Sequence, residues 1–138
     1  MKRILLLIVL LSVLSCKQEI TEADISNLNG YWEIEKVELP DGDKKEYKVN
    51  ETIDFFKIEA NKGFRKKVMP QLDGTYLTND IQEDVVVVVK DGDALLQYKT
   101  KYASWKEEII ELTKDKLVVK NQQEIEYYYK RPAKFSVK

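Results

Sequence analysis

The stretch EDVVVVVKDGDALLQYK, residues 83–99, decides the fold class of this chain. Its five consecutive valines, Val85-Val86-Val87-Val88-Val89, form a short β-branched run, which predicts a strand with two apolar faces. Asp91-Gly92-Asp93 then supplies a hairpin-turn signal. Apolar and polar residues alternate over residues 94–102, so a second strand is expected to return antiparallel to the first.

Short runs of the same kind, separated by turns, continue on both sides of this hairpin. We predict strands over residues 31–39, 52–59, 64–69, 75–78, 83–90, 94–102, 105–112, 117–120 and 124–131. Residues 44–50 are expected to form a polar loop, and residues 20–29 a short helical turn. The apolar residues Trp32 and Val37 have opposite parity in the first strand, which predicts a bulge near Glu35-Lys36.

Short connections between strands indicate that sequence neighbours pair in space. We therefore predict one all-β domain over residues 30–132, an antiparallel up-and-down barrel of 8–9 strands, followed by a short tail, residues 133–138. Closure into a barrel removes exposed strand edges. A barrel of this size is either filled by side chains or holds one small ligand.

The amino terminus has the pattern of an export signal. Met1-Lys2-Arg3 precedes an apolar run over residues 4–14, which is shorter than the ~20 residues that span a bilayer. Val13-Leu14-Ser15-Cys16 resembles the lipobox of bacterial lipoproteins. The resemblance implies removal of residues 1–15 and a diacylglyceryl thioether on Cys16, with residues 16–29 as a lipidated tether. The alternative is an ordinary secreted protein with a free thiol.

The predicted lipid would make the bilayer this protein's first partner. Lys17 differs from the aspartate that keeps many lipoproteins in the inner membrane, so we expect an outer-membrane lipid anchor. The anchored domain would face either the periplasm or the cell exterior.

Composition excludes several classes of function. The chain has no histidine and one cysteine, which removes histidine-dependent catalysis, most zinc sites and any intramolecular disulfide. Its 23 basic and 24 acidic side chains form no basic stripe, so nucleic-acid binding is not expected. We expect no enzymatic activity, catalytic residue, metal or cofactor.

Motifs at the two ends of the predicted barrel indicate a family. Leu28-Asn29-Gly30-Tyr31-Trp32 resembles the Gly-x-Trp hallmark of lipocalins, and Tyr127-Tyr128-Tyr129-Lys130-Arg131 resembles the strand whose arginine stacks over that tryptophan. The whole pattern is most similar to the lipocalin-like lipoproteins of the Bacteroidetes. The resemblance implies that Gly30, Trp32 and Arg131 close one end of the barrel. The chain lacks the disulfide and the carboxy-terminal helix of larger lipocalins.

Two functions remain open at this point. The first is binding of a small apolar or amphiphilic molecule inside the barrel. Strand parity gives nine candidate cavity-lining residues: Phe56, Ile58, Leu96, Tyr98, Tyr102, Ile110, Leu112, Tyr127 and Tyr129. The alternative is that these side chains only fill the barrel and that the chain is a surface interaction module for a protein or glycan. Val86 and Val88 would then face a partner, unless residues 20–29 cover them.

Replacement of the acylated residue tests the anchor. We expect Cys16→Ser to release the protein from membranes, because the thioether can no longer form. Membrane and soluble fractions of cells that express the wild type or the variant provide the measurement. A variant that still fractionates with membrane would contradict the lipobox interpretation.

Overall fold

The computed structural model describes residues 17–48 and 50–133. The predicted signal peptide, Cys16 and residues 134–138 lie outside the described residues. The described part contains a 3-10 helix, Glu22–Leu28, and nine strands: β1 Gly30–Glu38, β2 Lys44–Glu46, β3 Ile53–Glu59, β4 Lys62–Pro70, β5 Tyr76–Lys90, β6 Asp93–Lys99, β7 Ser104–Leu112, β8 Lys116–Asn121 and β9 Glu126–Lys130. None of the described helical segments is long and apolar enough to cross a bilayer.

The strands form a closed barrel because β1 pairs with both β3 and β9. From β3 to β9 every strand pairs antiparallel with the next one in sequence. The prediction of an antiparallel up-and-down barrel is thus confirmed. Its eight strands are β1 and β3–β9. Strand β2 adds to β1 beyond the bulge and lies in the segment predicted as a loop. Its three exposed residues have no apolar alternation that would predict a strand.

The strand pairings contain three register shifts, including one between Lys66 and Val68 in the pairing of β4 with β5, and the other two decide which predicted side chains face inward. The pairing of β1 with β9 shifts between Ile34 and Lys36, at the predicted place, so that Val37 joins Trp32 on the inner face. The pairing of β7 with β8 shifts between Ile109 and Glu111. Ile109 is therefore fully buried, whereas Ile110 is only half-buried. The prediction that Ile110 lines the cavity is wrong, because simple alternation takes no account of this bulge.

Two other strand predictions also need correction. Strand β6 ends at Lys99, since the Thr100 hydroxyl accepts hydrogen bonds from the backbone N–H groups of Tyr102 and Ala103. This turn leaves Tyr102 89% exposed, so it lines no cavity. The segments predicted as strands 75–78 and 83–90 form one continuous strand, β5.

The segment that precedes β1 closes one end of the barrel. Ile20, Ile25 and Leu28 are buried in the same core cluster as the inward valines of β5. The backbone N–H of Ile20 donates to the carbonyl of Gly92, and Gln18 bonds the backbone of β7. The expectation that residues 20–29 cover the outward valines is wrong, because their apolar side chains fill the barrel end instead. Val86 and Val88 stay 37% and 39% exposed.

Arg131, which follows β9, contacts the start of β1 at this closed end of the barrel. Its guanidinium carbon lies 3.6 Å from the ring centroid of Trp32, which is fully buried. The guanidinium donates hydrogen bonds to three backbone carbonyls, those of Asn27, Tyr31 and Lys114. A Cβ atom at Gly30, where φ is +108°, would lie 3.2 Å from Nη1 of Arg131. A residue with a side chain would be strained there and would crowd the arginine.

Removal of this arginine should loosen the closed end. We expect Arg131→Ala to lower the free energy of unfolding by about 2–4 kcal/mol, because a cation–π contact and three charge-assisted hydrogen bonds are lost. Arg131→Lys should recover part of this loss, since a lysine keeps the charge but cannot reach three carbonyls from one planar group. Thermal and urea melts measure both variants. An unchanged melt for Arg131→Ala would exclude the barrel-closing role, whereas ligand preference should stay as in the wild type.

Candidate functional site

The barrel interior is divided into an apolar half and a polar half. The half next to the 3-10 helix contains Trp32, Ile109 and the side chains of that helix. The rest of the interior, which we call the polar half, adjoins it and contains inward-facing charged and hydroxyl groups. Asp54 of this polar half is paired directly with Trp32 in strand register. Of the nine predicted lining residues, six are buried, namely Phe56, Ile58, Leu96, Tyr98, Leu112 and Tyr129, and Tyr127 is half-buried. All six lie within the packed core cluster, and Tyr127 packs against it.

Arg65 is the centre of the polar half. Strand pairing places it on β4 opposite Phe56 of β3 and Glu83 of β5. Its Nε and Nη2 atoms each donate to the Glu83 carboxylate at 2.8 Å. Its Nη1 atom lies 3.6 Å from Oε1 of Glu107, and its Cζ atom lies 4.2 Å from the ring centroid of Tyr98. The arginine is thus held from three sides, with only 12% of its side chain exposed.

Two carboxylates are buried beside this arginine. Asp54 is 3% exposed and Glu107 is 8% exposed. Oδ1 of Asp54 lies 2.6 Å from Nζ of Lys67, an ion pair at the edge of the polar half. Within the described residues, three buried atoms of this group have no hydrogen bond of good geometry: Oδ1 of Asp54, the Tyr98 hydroxyl and Oε1 of Glu107. Asp54 is ion-paired with Lys67, and the Tyr98 hydroxyl and the Glu107 carboxylate are close enough to shift each other's pKa. We call Asp54, Arg65, Glu83, Tyr98 and Glu107 the Arg65 cluster.

Burial changes the acid–base properties of this cluster. It raises the pKa of Glu107, and the positive charge of Arg65 opposes the shift without cancelling it. It also raises the pKa of the Tyr98 and Tyr129 hydroxyls well above the ordinary tyrosine value. Both tyrosines therefore stay protonated at neutral pH. Glu107 takes up a proton more readily than an exposed glutamate does.

Aromatic side chains surround the cluster near the open end of the barrel. The Tyr98 and Trp105 rings stack, with their centroids 5.4 Å apart. Both residues line a cleft of about 610 Å³ along β5–β7, which is open to solvent. Glu107 and Asn121 line a second cleft, of about 310 Å³, along β7 and β8. Outward-facing residues such as Val86, Lys106 and Lys120 also line these clefts, so the clefts lie on the outer face of the barrel and the cluster is buried behind that face.

Arg65 and Glu107 lie outside the sequence patterns that predict the cavity-lining residues. A signal for Arg65 exists in the alternation of β4, because Arg65 shares its face with Gly63, which is opposite the inward Ile58. Glu107 likewise shares parity with Ile109. A charged residue at such a position is normally assigned to the solvent face, and so both were overlooked. No group of three or more His, Cys, Asp or Glu side chains in the described part is arranged to hold a metal ion.

Comparison with known proteins identifies the family of this barrel. A family model described as a lipocalin-like domain matches residues 28–119. The chain belongs to this lipocalin-like family. Among solved structures, a lipocalin-like protein from Bacteroides uniformis ATCC 8492 is similar, with 10% identity and a TM-score of 0.49 over 77% of this chain and 99% of that chain. No match was found among curated proteins.

The family match confirms the resemblance that the end motifs indicated. It includes Trp32 but ends within β8, before the strand that leads to Arg131. The position of Arg131 in this lipocalin-like domain comes instead from the pairing of β1 with β9.

Glu107 should make the stability of the domain depend on pH. The folded protein holds the Glu107 proton more tightly than the unfolded chain does, so this group lowers stability as pH rises from about 4.5 through its raised pKa. We expect Glu107→Gln to remove this loss and to raise the free energy of unfolding at pH 7 by about 1–3 kcal/mol, because the ion pair with Arg65 at 3.6 Å offsets only part of the cost of burying this carboxylate.

Thermal melts between pH 4 and pH 8 measure this difference. Glu59→Gln, which changes an exposed glutamate at the end of β3, is the matched control and should follow the wild-type curve. A Glu107→Gln curve parallel to that of the wild type would contradict the assignment of a raised pKa to Glu107.

Proposed function

We propose that this lipocalin-like domain binds one small amphiphilic molecule in the polar half of its barrel and is anchored to the outer membrane by lipid on Cys16. The Arg65 cluster carries the proposal. A buried polar atom without a partner costs about 1–3 kcal/mol. Three atoms of the cluster, on Asp54, Tyr98 and Glu107, lack a hydrogen bond of good geometry, and of these only Asp54 has an ion pair with a lysine, Lys67. Sites that keep this cost in a folded protein are typically completed by a ligand or by bound water.

The division of the interior supports an amphiphilic ligand rather than a purely apolar one. The apolar half is already occupied by Trp32, Ile25 and Leu28, each 4% exposed or less. The open half offers polar groups next to the rings of Tyr98 and Trp105. A ligand would place its polar head at the Arg65 cluster and its apolar part against these rings. The proposed activity is binding without catalysis.

The folded amino terminus supports the proposed anchor. Lys17, the residue after Cys16, forms ion pairs with Asp93 and Glu108 on the barrel. Lys17 thus lies against the barrel surface, directly after the residue that would carry lipid. The lipid anchor and its position in the outer membrane are part of this proposal. The Cys16→Ser variant described above tests the anchor.

A second function, docking of a protein partner, is favoured by the outer face of β5. Val86 and Val88 are exposed, and Val86 lines the cleft of about 610 Å³. No segment of the described part covers these two valines. An apolar strand face of this kind is a typical contact surface for another protein.

Native mass spectrometry distinguishes the two functions. Residues 16–138 carrying Cys16→Ser would be exported to the periplasm of the source organism behind a cleavable secretion signal and purified without detergent. We expect a mass excess that disappears on denaturation and is identified after organic extraction. A bare monomer mass would contradict small-molecule binding, and a heavier complex that contains a second protein would favour docking at β5.

A further inference from the structure

The outer face of β5 has a charge pattern that reverses about its middle. Its outward side chains are exposed, because the alternate residues Val85 and Val87 face the core. In chain order the outward residues are Asp84, Val86, Val88 and Lys90, which are negative, apolar, apolar and positive. Within residues 17–48 and 50–133, neither Asp84 nor Lys90 forms an ion pair. The strand therefore presents an uncovered apolar centre between two opposite charges.

The neighbouring strand β6 has the same pattern with the signs exchanged. Along the rows set by its pairing with β5, the outward residues of β6 are Lys99, Gln97, Leu95 and Asp93. The lysine lies in the row of Asp84, and the aspartate lies in the row of Lys90. The two half-buried residues between them lie beside the exposed valines. The apolar centre is thus two strands wide, with both signs of charge at each end.

Strand β7 continues the two central rows with a further pair of opposite charges. Lys106 lies beside Gln97, and Glu108 lies beside Leu95. The ammonium of Lys17 contacts both Glu108 and Asp93, so these two carboxylates share one cation. A carboxylate has about four acceptor positions, so both can accept from a further ammonium.

This face is complementary to itself when its strands are reversed. A rotation by 180° about an axis that crosses the strands between Val86 and Val88 brings each of the three strands over its own counterpart in a second copy. Each of the resulting contacts occurs twice: Val86 over Val88, Asp84 over Lys90, Lys99 over Asp93, and Lys106 over Glu108. Every charge named here meets the opposite charge, and valine meets valine.

The other two-fold arrangement of the same face is unfavourable. An axis parallel to β6 would bring Lys99 over Lys99 and Asp93 over Asp93 of the second copy, and like charges repel. In the reversed arrangement, the bordering residues Lys62 of β4 and Lys120 of β8 come to lie over no lysine. The charge pattern therefore selects one orientation.

We infer that the partner of the outer face of β5–β7 is a second copy of this chain, bound with its strands antiparallel. This inference rests on the docking function proposed for β5 and names its partner. A different protein would need only a matching surface of its own, whereas an order of charges that matches its own reversal is the property of an interface between identical copies. The two amino termini would point toward opposite ends of the pair, so copies anchored in one bilayer would lie along it.

The size of the face predicts a weak pair. Three strands about 4.8 Å apart, with residues 84–90 rising about 3.4 Å each, give a plane of roughly 300 Å². Stable complexes bury about 800 Å² of accessible surface on each partner, so this face belongs with small, transient interfaces. We expect a dissociation constant between about 10 μM and about 1 mM.

An exchange of charges between two variants tests the arrangement. Asp84→Lys leaves lysines at both ends of β5, and Lys90→Asp leaves aspartates at both ends, so in either variant like charges meet twice. We expect the dissociation constant of each variant alone to rise at least tenfold. In an equal mixture opposite charges meet again at both positions, and the mixed pair should form with about the wild-type affinity. Sedimentation equilibrium at low salt on residues 16–138 carrying Cys16→Ser measures all four samples, the wild type included.

Lys57→Asp is the matched control, because it changes an exposed lysine on the outer face of β3. It should associate like the wild type, and thermal melts check that every variant is folded. A mixture that stays monomeric while the wild type associates would overturn the antiparallel arrangement. A monomeric wild type, with a different protein in the native mass spectrum, would overturn self-association and keep docking at β5. A bare monomer in both measurements would overturn both.

Discussion

The rest of the structure depends on the double pairing of β1. This strand bonds β3 through its first residues and β9 through its later ones, and so it closes the sheet on itself. Arg131 fixes that closure, because it covers Trp32 and ties three carbonyls from separate segments of the chain. Once the barrel is closed, its central inward side chains are shielded from solvent, among them Asp54, Arg65 and Glu107. Polar groups placed there cannot move out to water.

The sequence predicts the barrel well because its strands obey a simple rule of alternation. The valine run of β5 and the turn at Gly92 indicate a hairpin on their own, and the change of parity after Ile34 indicates the bulge in β1. The rule fails where the backbone departs from regular geometry. Ile110 lies at a bulge that the residue types around it do not predict. Tyr102 lies in a turn that the hydroxyl of Thr100 stabilises.

The polar site was less accessible to prediction than the fold, for a physical reason. Hydropathy patterns assume that charged side chains face water, because burial of an unpaired charge is unfavourable. Arg65 and Glu107 face inward because partners on neighbouring strands offset part of that cost. These partners are brought together by strand register, which no local pattern encodes. The residues most informative about function were therefore those that the pattern assigned to the surface.

The folded amino terminus has a consequence for the position of the barrel at a membrane. Gln18 and Ile20 bond β7 and the turn after β5, at the closed end of the barrel. If Cys16 carries the proposed lipid, the contacts of Lys17 and Gln18 with the barrel leave little chain between the bilayer and this closed end. The proposed anchor would then hold the closed end next to the lipid, and the rest of the barrel would face the aqueous phase.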